Sequence, residues 1–165
     1  MKAQYYEVYL SFGSNVGGKR ANIETALKFL NDVKVKIKKV SSLYETAPWG
    51  NTNQDSFLNM AGIFETSLSP QKLLNEILNI EKLMGRKRTE KWQPRIIDID
   101  ILFFGNEIIN ENGLTIPHPE MHKRKFVLIP MVEIAAEFVH PMLKKPIIEL
   151  LNQCRDELTV ELFNP

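Results

Sequence analysis

Residues 94–102 read PRIIDIDIL, and the alternation within this stretch decides both the fold and the place of the chemistry. In an extended chain successive side chains point to opposite faces, so Ile97, Ile99 and Ile101 share one face while Asp98 and Asp100 share the other. Isoleucines on one side suit a strand packed against a core. The two carboxylates then have Cβ atoms roughly 6 to 7 Å apart, at a rise of about 3.3 Å per residue. Acids on an otherwise apolar strand are costly to desolvate unless a cation compensates them, and hard divalent ions such as Mg²⁺ favour oxygen ligands. For an isolated pair, a solvated face or pairing with Lys or Arg accounts for the acids equally well. The surrounding residues shift the balance.

Upstream, residues 6–13 form an apolar strand that ends in Gly13-Ser14-Asn15-Val16-Gly17-Gly18. Residues 20–30 then carry Ile23, Leu27 and Leu30 at helical spacing. Lys34, Lys36 and Lys38 alternate with Val35 and Ile37, as in a half-exposed strand whose lysines protect an edge, and the strand pattern resumes over 40–45. Residues 46–55 are rich in turn formers and predict a mobile loop. Strand character returns over 57–65, after which Ser69 is the expected N-cap and Pro70 the first residue of a helix carrying Leu73, Leu74, Ile77, Leu78 and Met84, with Gly85 beyond its end. A second polar loop, 86–93, leads into the aspartate strand. Downstream, 104–108 reads as a hairpin turn into a short strand, 116–119 is punctuated by proline, and helices are expected over 124–137 and 147–152. The order βαββαβ predicts an α+β, ferredoxin-like layer sandwich with additional C-terminal strand and helix elements, forming one domain over 1–165.

At 165 residues, 44% hydrophobic and 25% charged, the chain is long enough for a sizeable core. A net charge of +1 argues against nucleic acid as the main partner. The lone Cys154 excludes an intramolecular disulfide and a multi-cysteine zinc site. No stretch approaches the roughly 18 apolar residues of a membrane span, so the expected location is the cytoplasm.

Arg86, Arg88, Arg95, Asp98, Asp100, His118 and Arg124 fall within about 40 residues, placing anion donors around an acidic metal site. Mg²⁺ binds through one or two carboxylates plus phosphate oxygens, and arginine forks hold the remaining oxygens, so the set suits a polyphosphate. No residue stands out as a general base. Two other readings stay open at this level: a metal-dependent nuclease or phosphohydrolase, and a non-catalytic ferredoxin-like binding module. Phe57 and Phe126, judged on pattern alone, are more often core residues.

Longer motifs add to this. Arg95-x-x-Asp98-Ile99-Asp100-Ile101, the following Leu102-Phe103-Phe104-Gly105-Asn106-Glu107, and Leu114-Thr115-Ile116-Pro117-His118 closely resemble the 6-hydroxymethyl-7,8-dihydropterin pyrophosphokinase family. Gly13-Ser14-Asn15, Ser42-Leu43-Tyr44-Glu45-Thr46-x-Pro48 and Phe57-Leu58-Asn59 support the likeness. The resemblance implies transfer of the terminal diphosphate of ATP to the hydroxymethyl group of a reduced pterin, releasing AMP, in folate biosynthesis. It implies two Mg²⁺ ions on Asp98 and Asp100, with Arg86 and Arg95 on phosphate. Glu81, Arg88, Trp92, Ile101, Thr115, His118 and Arg124 match positions at the nucleotide. Phe57 and Phe126 match an aromatic pair around the pterin, and Asn59 and the segment holding Thr46, Pro48 and Trp49 match its hydrogen-bonding edge. The chain departs from the pattern at Leu78, Thr89, Gln93, Gly113 and Pro119, positions that bear on nucleotide affinity and loop kinetics. A monomer is expected.

Overall fold

The computed structural model describes residues 2–47, 53, 55–87 and 94–164. The first part of the chain runs β1 (Tyr6–Ser14), α1 (Lys19–Asp32), β2 (Val35–Val40), β3 (Tyr44–Thr46), β4 (Phe57–Thr66), α2 (Pro70–Leu83) and β5 (Asp98–Phe104). It then continues through β6 (Ile109–Glu111), β7 (Leu114–Ile116), a 3₁₀ turn at Met121–Lys123, α3 (Lys125–Ala135), α4 (Ile147–Gln153) and β8 (Val160–Leu162). The expected βαββαβ order is present, with its second strand divided into β2 and β3. The main sheet has the order β5-β1-β4-β3-β8, with β2 also paired to β4, and its strands are antiparallel throughout.

Alternation along the central strands fills two cores. Val8, Leu10, Phe12, Leu58, Met60, Phe64, Ile99 and Ile101 face α1 and α2, where they meet Ile23, Leu30, Leu73 and Ile77. Tyr9, Ala61, Leu102 and Phe103 face α3 and α4, against Leu128, Met131 and Ile147. The result is helices on both sides of one sheet. The register of β5 on β1 shifts between Tyr9, opposite Phe103, and Leu10, opposite Ile101. Leu102 is therefore an extra residue, and a bulge of this kind re-aims the side chains beyond it. Leu102 and Phe103 both enter the α3/α4 core, and Phe104 returns to the α1/α2 core.

Two expectations are corrected. The strand pattern over 40–45 is interrupted at 41–43, where the Ser41 hydroxyl accepts from the Ala61 amide at 3.0 Å and the Ser41 amide donates to the Ala61 carbonyl at 2.8 Å, so a side chain replaces part of the ladder. The turn at 104–108 does not fold a strand back onto β5. Gly105, at φ +51°, donates its amide to the Glu7 carbonyl, and the chain leaves to form a separate two-stranded sheet of β6 with β7. The lysine-rich strand β2 does lie along an outer part of the sheet, with Lys36, Lys38 and Lys39 exposed.

Candidate active site

The aspartate strand is an edge of the sheet, and its register lays a row of residues across three strands. Asp98 on β5 lies opposite Gly13 on β1, which lies opposite Asn59 on β4; one step further, Asp100, Ser11 and Ala61 form the next row. At strand spacings of about 4.8 Å, Asp98 and Asn59 are separated by roughly 10 Å across Gly13. Gly13 is small for a reason: a Cβ there would lie 3.2 Å from Asn59 Oδ1 and 3.6 Å from the Phe57 ring. Asn59 is buried and donates through Nδ2 to the buried Thr46 hydroxyl at 2.9 Å. Thus Thr46, Phe57 and Asn59 come together at one end of the row, with the carboxylates at the other.

Helix α2 delivers the basic partner of Asp98. Ser69 caps the helix, accepting from the Lys72 amide at 3.3 Å, and Pro70 occupies the first turn. At the other end Gly85 adopts φ +91°, its amide donates to the Lys82 carbonyl, and the Arg86 amide donates to the Glu81 carbonyl, which is the Schellman arrangement. That termination sets Arg86 directly over Glu81. Arg86 Nη1 lies 2.9 Å from Glu81 Oε1 and donates to Asp98 Oδ1 at 2.6 Å, with only 8% of the arginine side chain exposed. Arg95 Nη1 donates to the other oxygen of Asp98 at 2.9 Å. Glu81, itself buried, also accepts from the Ile99 amide on the outer edge of β5.

The two aspartates differ electrically. Burial works against the charged form of Asp98, but the Arg86 and Arg95 guanidiniums override it and hold the carboxyl below its usual range. Asp100 is pushed up to about 7, first by burial and then by the negative charge of Asp98, with the Arg124 charge pulling the other way. His118 docks on the same strand through its amide, bonded to the Leu102 carbonyl at 3.0 Å. Burial, then the nearby Arg124 charge, push its imidazole down to about 4, so it is neutral at pH 7. Its Nδ1 accepts from the Glu120 amide at 3.1 Å, which leaves Nε2–H as the donor. Arg124 precedes α3 and sits 6.0 Å from the centroid of the partly buried Phe126 ring.

Most of the expected residues within the described segments converge here. Arg86, Arg95, Asp98, Asp100, His118 and Arg124 surround the aspartate strand, and Thr115 is exposed on β7. Ile101 behaves differently: its side chain is 6% exposed and packs in the α1/α2 core, away from the carboxylates, so only its main chain is available to a ligand on the carboxylate face. Pro48, Trp49, Arg88 and Trp92 lie outside the described residues. Sequence reasoning gave no place to Glu133, which reaches from α3 to accept from the Ser42 amide at 3.0 Å, the Ser42 hydroxyl at 2.8 Å and the Tyr44 hydroxyl, and so ties α3 to the start of β3. A lone helical glutamate carries no local signal of such a contact.

Among the described residues no three or more His, Cys, Asp or Glu side chains gather as a metal cage. The donor chemistry of Asp98 and Asp100, two carboxylates on one face of β5, fits a hard divalent ion such as Mg²⁺. The fold is a ferredoxin-like α+β domain whose edge strand sets Asp98 against two arginines at one end of a row that has Thr46, Phe57 and Asn59 at its other end.

Residues 9–136 match the model of the 7,8-dihydro-6-hydroxymethylpterin-pyrophosphokinase family. The chain is 44% identical over 142 residues to the 2-amino-4-hydroxy-6-hydroxymethyldihydropteridine pyrophosphokinase of Aquifex aeolicus, covering 86% of this chain and 88% of that one. It is 40% identical over 158 residues to the Haemophilus influenzae protein of the same name, covering 95% and 98%. Among solved structures, Plasmodium falciparum HPPK-DHPS with pterin and p-hydroxybenzoate superimposes with a TM-score of 0.76 at 20% identity, over 92% of this chain and 44% of that longer one, a likeness of fold. The chain belongs to the 7,8-dihydro-6-hydroxymethylpterin-pyrophosphokinase family.

Proposed function

We propose that the row from Asp98 to Asn59 is the reaction axis, with MgATP at the carboxylate end and the pterin between Phe57 and Phe126 at the other. The enzyme is a pyrophosphokinase of folate synthesis: it transfers diphosphate from ATP to the hydroxymethyl group of 6-hydroxymethyl-7,8-dihydropterin, giving the pterin diphosphate and AMP. Because AMP leaves, the pterin oxygen attacks the β-phosphorus, the bridge to the α-phosphate breaks, and the hydroxyl proton passes to solvent.

Asp98 and Asp100 would hold two Mg²⁺ ions. Such ions would offset the negative charge that builds on the transferring group. The remaining work belongs to the protein. Arg86 and Arg95, already beside Asp98, present forks to phosphate oxygens. His118 offers a neutral Nε2–H, and Arg124 adds positive charge near Asp100. Glu81 acts as the anchor of Arg86, with Arg88, Trp92, Thr115 and the Ile101 main chain assigned to the nucleotide. Asn59 and Thr46, with Pro48 and Trp49, read the polar edge of the pterin, whose ring donors and acceptors must be matched if burial is to be favourable. We further assign one domain over 1–165, a monomer and a cytoplasmic location; no helix of the described residues is long and apolar enough to cross a membrane.

The observation that carries this reading is the convergence of both Asp98 oxygens on Arg86 and Arg95 in register with Asn59. Incubation with ATP, Mg²⁺ and the reduced hydroxymethylpterin should yield pterin diphosphate and AMP in equal amounts; ADP or free diphosphate instead overturns it. Mn²⁺ titration with a non-hydrolysable ATP analogue should count two ions per chain, and sedimentation should give the mass of one chain.

A further inference from the structure

We infer that Asn15 is a positioning residue: it grips the Arg95 main chain and thereby sets the guanidinium that meets Asp98, while also reaching the Asp55 main chain. Asn15 is 2% exposed and lies just past the end of β1. Its main-chain amide donates to the Arg95 carbonyl at 3.0 Å, and its Oδ1 accepts from the Arg95 amide at 2.7 Å. One residue thus satisfies both main-chain polar groups of Arg95. The segment 94–97 lies outside β5, so Asn15 supplies there what a neighbouring strand supplies elsewhere. Its Nδ2 reaches the Asp55 carbonyl at 3.4 Å, a longer contact to the chain just before β4.

The grip is itself held. Asn22 on α1 donates through Nδ2 to the Ser14 hydroxyl at 3.1 Å and to the Val16 carbonyl at 2.9 Å, bracketing Asn15 on both sides. A run of bonds therefore leads from α1 through Asn15 to the Arg95 main chain, and from the Arg95 guanidinium to Asp98. The chemistry specifies the residue type. A short carboxamide offers an acceptor to one N–H and a donor to one carbonyl; aspartate keeps only the acceptor, and alanine keeps neither.

That difference separates the two arms. The inference rests on Arg95 serving phosphate beside Asp98, and Arg95→Ala checks that premise alone: unchanged turnover there rejects the site reading, not the role of Asn15. Asn15→Ala should lower kcat at saturating substrates by about tenfold or more, because small misplacements of a phosphate-binding group are costly, and should raise the KM for pterin. Asn15→Asp should bring kcat back to within about threefold of the parent while the pterin KM stays high. In an Arg95→Ala background, adding Asn15→Ala should cost less than about twofold further, since the two residues act as one unit. Full additivity in that cycle, or a kcat for Asn15→Asp as low as for Asn15→Ala, overturns the inference. Asn15→Ser, too short to reach Arg95, takes the place of the alanine variant if that variant does not fold, with the same expected outcomes.

Discussion

The two faces of the central sheet are made by the same strands and do opposite things. Toward α1 and α2, the described side chains of β1, β4 and β5 are apolar along almost their whole length, from Val8 to Phe12 and from Ile99 to Phe104. Toward α3 and α4, Tyr9, Leu102 and Phe103 make an apolar end, Ala61 shares its row with Asp100, and the far end carries Gly13, Asn59 and Asp98. One face stabilises the fold, and half of the other is given to polar and charged groups. Period-two alternation makes this division possible, because a polar residue placed on one face leaves the packing of its neighbours intact.

The sharpest way to break the comparison is to exchange the two kinds of cost. Asp100→Asn should lower turnover by roughly a thousandfold, since metal-borne charge stabilisation is worth several kcal/mol, while thermal stability of the metal-free protein at pH 8 stays level or rises. Phe64→Ala, from the fully buried opposite face, should cost about 3–5 kcal/mol of stability and leave turnover per folded molecule unchanged. Steady-state kinetics with calorimetric melting reads both. A large stability loss in the first variant, or a kinetic defect in the folded fraction of the second, would show that the faces are not independent.

The same alternation explains what the sequence discloses. PRIIDIDIL announces a strand with one core face and one acidic face, and the cap at Ser69 with Gly85 marks both ends of α2, because these are local rules that act within a few residues. The bulge at Leu102 is not visible in that way: it arises from pairing with β1, ninety residues away in the chain, and nothing local distinguishes Leu102 from Phe103. The hairpin of β6 with β7 is missed for a related reason, since the turn at Gly105 reads the same whichever partner the next strand takes. Glu81 shows the limit at the site itself. The family pattern sets it near the nucleotide, whereas its buried contacts to Arg86 and to the Ile99 amide depend on the Schellman turn and on the outer edge of β5 together.

A smaller effect sharpens the contrast between the two ends of the reaction axis. Phe126 is half-buried at the start of α3 and packs against the α3/α4 core. Phe126→Ala should raise the KM for pterin about ten- to thirtyfold, from lost aromatic contact and burial, with kcat changed less than about threefold. Asp98→Ala should show the reverse pattern, a deep loss of kcat with pterin affinity nearly kept. Equal movement of both constants in both variants would merge the two ends into one.

The smallest effect tests the electrical difference between the two aspartates. Asp100 is pushed up to about 7 by burial and by the charge of Asp98, so near neutral pH a divalent ion competes with a proton for this carboxyl. Between pH 8 and pH 6 the affinity for Mn²⁺ alone, read by electron paramagnetic resonance, should fall about tenfold, as expected for one competing proton. Calorimetry at pH 6 should register close to one proton released per ion bound. His118 adds nothing in this window, because it is pushed down to about 4 and is already neutral. The stability of the metal-free protein carries the same sign. The contribution of Asp100 is complete below the unfolded carboxyl value near 3.8 and is lost as pH rises through 7. Asp98, held below its usual range by Arg86 and Arg95, contributes above the unfolded value and loses that contribution as pH falls through its folded value. Asp100→Asn should therefore flatten the pH dependence of Mn²⁺ binding and raise metal-free stability at pH 8 but not at pH 3. If the dependence survives in that variant, the proton belongs to another group, and the asymmetry between the two carboxylates fails.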